Sequence, residues 1–279
     1  MNSNYTQANA DRDFQNNNDQ YQKNITCIKR GTPEEPWLRG IVHLGLANTM
    51  MRLGFYYTVI GDYAKAKGEF YNVVLIRKWL YTKYLAYHDW TPQEWDNLTK
   101  DSKVIIDPEL LSSINWTTLI LSPLCCEREV TLEFSRLYRT IISRNWSMYG
   151  HVNEGRYIGD LLTNILLDKQ NSYTEKKRPK GLSAWKGIVE CLTAIINRDA
   201  DQFYNSIILA KKFWIKYATR NEKGSVYAAS FAVGAGLVKI AENIFNKPLR
   251  FNSKVISWEL LDDSIIPEFS HPLPDYVLT

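Results

Sequence analysis

Acid–base or metal chemistry in this chain would fall to four histidines, four cysteines and a few paired acids. The histidines are His43, His88, His151 and His271. His43 sits between Val42 and Leu44 in an apolar helical pattern, where a hydrogen-bonded, half-buried side chain explains it better than a ligand role. His151-x-x-Glu154 sets two donor groups one helical turn apart, but glycines flank the pair at positions 150 and 155. Structural zinc takes four ligands, so two fall short. Cys125 and Cys126 are adjacent, without the two-residue gap of a zinc or redox pair. A disulfide between neighbours is strained, and no base is placed to activate either thiol. Gly234-Ala235-Gly236 follows no strand, so it serves helix packing rather than a dinucleotide. Asp262-Asp263 reads as a solvated helix end. The expectation is no catalytic residue, no cofactor and no metal: not an enzyme.

Charge and aromatic content point to binding. Net charge is +4 with a pI near 8.7, which permits an acidic partner but falls short of a nucleic-acid signature. The residues are unevenly spread. Lys176, Lys177, Arg178 and Lys180 form a basic loop, while Trp258 to Thr279 holds five acids and no Lys or Arg. Aromatics make up 13% of the chain, and they supply core area as well as interface anchors. Trp146, Tyr149 and Tyr157 lie in a glycine-flanked break between helices, where a helix core explains them least. These three aromatics and the four basic residues are the candidate partner contacts. A solvated loop and ordinary core packing are the plain alternatives.

The elements that would position them are helical. Asp199 with Gln202 reads as a capping box, followed by Phe203, Ile207, Ala210, Trp214 and Tyr217 at spacings of three and four. After Asn221 to Gly224 comes an uncharged run, Ser225 to Val238, expected as one helix buried all round and too short for a bilayer. Together they form the expected central hairpin. Residues 1–26 are rich in Asn, Gln and Asp and read as a flexible tail. Thr32-Pro33 starts a helix to about Ile60, Gly61-Asp62 breaks it, and a second helix runs from Tyr63 to about Tyr87. Further starts fall at Thr91-Pro92, Asp107-Pro108, Ser122-Pro123 and Ser183, with another helix through Ile158 to Leu166. A short helix is expected around Val255 to Leu261. Three prolines within Pro267 to Pro274 demand an extended end. Val104 to Ile106 is the sole short strand candidate. The fold class is all-α, a single domain of stacked antiparallel hairpins resembling a solenoid. It spans residues 27–264, between the polar tail and an extended segment 265–279.

Two resemblances refine this. Leu53-Gly54, Tyr57, Gly61, Tyr63, Ala66 and Phe70 match the spacing of a tetratricopeptide unit, though the unit is not repeated in tandem. Phe70-Tyr71-Asn72, Lys78, Lys83 and Tyr84 also recur 133 residues later as Phe203-Tyr204-Asn205, Lys211, Lys216 and Tyr217. From Ala194 to Leu261 the chain resembles the bacterial immunity proteins of family 49, which neutralise toxins of competition systems. The matching parts are Arg198-Asp199-x-x-Gln202-Phe203, the aromatic helix to Tyr217, the small-residue helix Val226 to Ala241, and the close Glu259-Leu260-Leu261. The resemblance implies inhibition of a cognate toxin protein by occluding its active site. The tetratricopeptide-like unit implies the alternative, an adaptor holding a peptide segment. Neither needs nucleic acid or a membrane, and the expected location is cytoplasmic. Oligomeric state is left open.

Overall fold

A computed structural model describes residues 5–30, 36–86, 116–143, 152–168, 185–221, 226–250 and 256–278. Among these residues every regular element is a helix. The expected starts at Thr32-Pro33, Thr91-Pro92, Asp107-Pro108 and Ser183, and the run Val104 to Ile106, lie outside the described residues.

The expected flexible tail is instead a helix, α1 (Gln7–Lys29), capped by the Thr6 hydroxyl on Asn9 N at 3.3 Å. Its average composition is polar, but Ala10, Phe14, Tyr21, Ile25 and Ile28 share one narrow seam against the core. Phe14 meets the Tyr56 ring at 5.0 Å between centroids. On the wet side, Gln7–Asp11 and Gln15–Asp19 hydrogen bonds at 2.8 Å brace successive turns. Composition averages over the seam, so it missed the helix.

α2 (Pro36–Ile60) and α3 (Tyr63–Ala86) form the expected hairpin. Gly61 turns the chain at φ +84°, which favours glycine, and Asp62 caps Lys65 N. Gly54 lets the helices close: a Cβ there would lie 2.4 Å from the Phe70 ring.

The helix expected to start at Ser122-Pro123 is two helices, α4 (Trp116–Cys125) and α5 (Arg128–Ser143). Pro123 lies inside α4, where it has no N–H for the carbonyl of Leu119. Ser122 Oγ donates to that carbonyl instead, at 2.9 Å. α6 (Val152–Leu166) packs on α5, with Gly159 under the Tyr138 ring.

α7 (Lys186–Ile196) and α8 (Ala200–Asn221) make a second hairpin. Asp199 Oδ1 accepts from Gln202 N at 2.8 Å, and Phe203, Ile207, Ala210 and Trp214 are buried as their spacing requires. The uncharged run is not one helix. α9 (Val226–Ala229) stops at Ser230, and α10 (Ala232–Phe245) begins after it. Trp214 Nε1 donates to the carbonyls of Tyr227 and Ser230, at 2.9 and 3.1 Å, and so holds the break open. Nor is α10 chiefly the partner of α8. It packs most closely on α4, where a Cβ on Gly236 would lie 2.2 Å from Ile120 O.

The hairpins are stacked: α2 on α3, α3 on α5, α5 on α6, α6 on α7, α7 on α8, with α9 returning to α2. Phe55 of α2 meets Tyr227 of α9 at 4.7 Å and stacks on Trp214 at 5.9 Å. The most apolar helices, α4 and α10, lie inside this course. A 3₁₀ turn, Trp258–Leu261, then leads the chain back onto α3.

Candidate functional site

Prolines at 267, 272 and 274 keep the carboxy-terminal segment out of a helix, so its carbonyls need partners from elsewhere. The first three helices supply them. Lys67 Nζ donates to the carbonyls of Asp262 and Ile265, at 2.5 and 3.3 Å. Asn72 Nδ2 donates to His271 O at 3.0 Å, and Tyr21 Oη to Pro272 O at 2.7 Å. His43 Nε2 donates to Val277 O at 2.8 Å, its ring stacked on Trp79. In return Glu268 N donates to Ala64 O at 2.9 Å. The approach is close enough that a Cβ on Gly68 would lie 2.0 Å from Glu268 O. The segment is extended for most of its length, as expected, but it is inlaid rather than trailing.

At the centre of this contact Glu69 is 0% exposed and His271 5%. His271 Nδ1 lies 2.5 Å from Glu69 Oε1, and Nε2 donates to Asn18 Oδ1 at 3.3 Å. Burial raises the Glu69 carboxyl above the usual range, and the imidazole beside it opposes the rise. Burial, with Glu69 nearby, pushes Tyr21 up to about 12. Lys67 is lowered by its own burial, against the pull of Asp263. Both ring nitrogens of His271 are engaged, so neither is open to a substrate. The group is a clamp joining α1, α3 and the carboxy-terminal segment.

The outer face of the segment is different. Ile266 is 78% exposed, Phe269 46% and Tyr276 37%, and the acids Glu259, Asp262, Asp263, Glu268 and Asp275 are all exposed. Lys239 holds Asp263 at 2.6 Å and Lys65 approaches Glu268 at 3.9 Å. Large apolar side chains thus stand among carboxylates on a backbone fixed from behind.

Of the sequence candidates, Tyr157 belongs to the core. It is 7% exposed on the inner face of α6, because helix α6 starts at Val152, before the expected break has ended, and turns that ring inward. Trp146, Tyr149, Lys176, Lys177, Arg178 and Lys180 lie outside the described residues, as does His151. The residues missed were Ile266, Phe269 and Tyr276. Their signal was present in the same run of acids and prolines, where bulky apolar residues have no helical face to join. Among the described residues no helix is long and apolar enough to cross a membrane. Comparison with family models, curated proteins and solved structures returns no match.

Proposed function

We propose that this protein works by binding another protein, as an immunity protein that occludes the active site of a cognate toxin. The observation that carries the reading is the outer face of residues 262–277, where Ile266 and Phe269 project from a main chain held by four helix side chains through five hydrogen bonds. A surface fixed before binding loses little entropy on association, and apolar anchors ringed by charge are the pattern of interface hot spots. The surrounding carboxylates favour a toxin whose contact surface is basic, since complementary charge steers encounter. The resemblance of Ala194 to Leu261 to the family 49 immunity proteins supports the same reading.

A second reading has its own observation. α1, α2 and α3 already grip an extended segment by its carbonyls, which is how an adaptor would hold a peptide. In this chain that groove is filled by the chain's own residues, so the adaptor reading requires their displacement.

The test is co-expression of the neighbouring open reading frame in a sensitive host, with and without this protein. Survival restored through a stable complex, and lost with Ile266→Asp and Phe269→Asp at unchanged melting temperature, is the expected result. A harmless neighbour, or one that kills regardless, removes the immunity reading. Rescue that persists in both variants removes this surface.

A further inference from the structure

The two hairpins can be laid over one another on their caps. Asp62 accepts from Lys65 N at the start of α3, and Asp199 accepts from Gln202 N at the start of α8. In that alignment Phe70, Val73 and Arg77 fall on Ile207, Ala210 and Trp214, and all six are buried. The outer faces differ. Lys67 donates to Ile265 O, and the Tyr71 ring meets Phe269 at 5.7 Å. Their counterparts Tyr204 and Ile208 are 40% and 46% exposed.

Beside these two, α8 bears a recess of about 530 Å³, lined by Asp201, Gln202, Asn205, Ser206 and Leu209 with Asp199 and Glu190. The first five stand where α3 has Ala64, Lys65, Gly68, Glu69 and Asn72. Each of those α3 residues touches the carboxy-terminal segment. Ala64, Lys65 and Gly68 meet Glu268, while Glu69 and Asn72 hold His271. The trough that the chain fills on its first hairpin is therefore open on its second. We propose that this face of α8 docks an extended segment of a partner protein, which sets a lysine or arginine in the recess and a large apolar side chain on Ile208. The inference concerns a different face from the toxin reading and does not rest on it.

The backbone grip comes from Tyr204-Asn205, the second copy of Tyr71-Asn72. In the first copy the amide donates to His271 O at 3.0 Å. The second copy lies one helical turn nearer its cap, hence on the same face. An extended segment offers a carbonyl to such an amide and alternate side chains to the pockets beside it.

Charge selects the occupant. Asp199, Asp201 and Glu190 line the recess, and no Lys or Arg does. Lys186 reaches Glu190 at 3.8 Å, but it is 59% exposed, and such a surface pair is worth little. The N-terminus of α8 adds about half a positive charge, less than the carboxylates carry. In the first trough Lys65 faces Glu268, whereas here Gln202 takes the place of that lysine and acids surround it. The reversed charge disfavours the acidic carboxy-terminal segment of a second copy and favours a basic partner segment.

The probe is a library of random heptapeptides displayed on phage, panned against the folded full chain. The expected result is enrichment of peptides with a lysine or arginine next to a large apolar residue. One selected peptide is then labelled and titrated by fluorescence anisotropy. Ile208→Asp changes an exposed side chain, so it should keep the melting temperature and weaken the peptide at least tenfold. Asp201→Asn should weaken it severalfold, and Ile266→Asp, on the face of the toxin reading, should leave it unchanged. Either reading can thus fail without the other. No enrichment, enriched peptides that lack a basic residue, wild-type affinity in a folded Ile208→Asp chain, or loss of affinity with Ile266→Asp would each overturn the proposal.

Discussion

Glu69 has no exposed surface, and its carboxyl is raised by that burial. An unfolded chain releases this proton near pH 4.3, whereas the folded chain keeps it to higher pH. The folded state therefore binds more protons above that value, and its stability falls as pH rises. The contribution is fully present below about pH 4.3 and is lost through the raised folded pKa. Glu69→Gln cannot lose a proton, so its melting temperature relative to the wild type should improve as pH rises from 4 and level off once the wild-type carboxyl has ionised in the folded chain. A constant difference would mean that Glu69 titrates alike in both states. Asp199 and Gly54 with Phe70 were legible in the sequence because their partners are local in pattern. The Glu69–His271 clamp was not, since its members are 202 residues apart and no periodicity joins them. Pro123 misled for a related reason: it is a start signal unless a neighbour serves the orphaned carbonyl, as Ser122 does.

Among the elements, α1 is where composition and seam disagree most. Deleting residues 1–30 strips Phe14, Tyr21, Ile25 and Ile28 from the core and Asn18 from His271. At about 1.5–3 kcal/mol for a fully buried side chain such as Tyr21, and less for the half-covered Phe14, Ile25 and Ile28, the loss is of the order of 5 kcal/mol. Urea unfolding should show the midpoint falling sharply; an unchanged midpoint would return α1 to the tail that its composition describes. The break between α9 and α10 offers a finer test. Trp214→Phe keeps most of the ring but leaves the Tyr227 and Ser230 carbonyls without their donor, at a cost of about 1–2 kcal/mol. A cost near zero by the same unfolding measurement would show that the indole merely fills space. Nothing in the run Ser225 to Val238 announced this break, because the donor lies on the preceding helix.

For the whole molecule, the all-helical class and the hairpin at Gly61-Asp62 were legible, since so short a turn forces neighbours to pair antiparallel, whereas α8 pairs chiefly with α7 and not with the uncharged run. The pairing of α10 with α4 was not legible. A helix apolar on all sides has no face to indicate its partner, and these two are far apart in sequence. The outer face of the carboxy-terminal segment was half legible: the acids stood out, while the support behind them depends on three distant helices.

That support has a consequence in time. His271 leaves the ribosome about 200 residues after Glu69, so at roughly 5–20 residues per second the buried carboxyl waits some ten to forty seconds for its imidazole. During that interval α1, α2 and α3 present an open, carbonyl-seeking trough on a nascent chain. Chaperone occupancy during synthesis should therefore be concentrated on that trough and end when the final stretch docks.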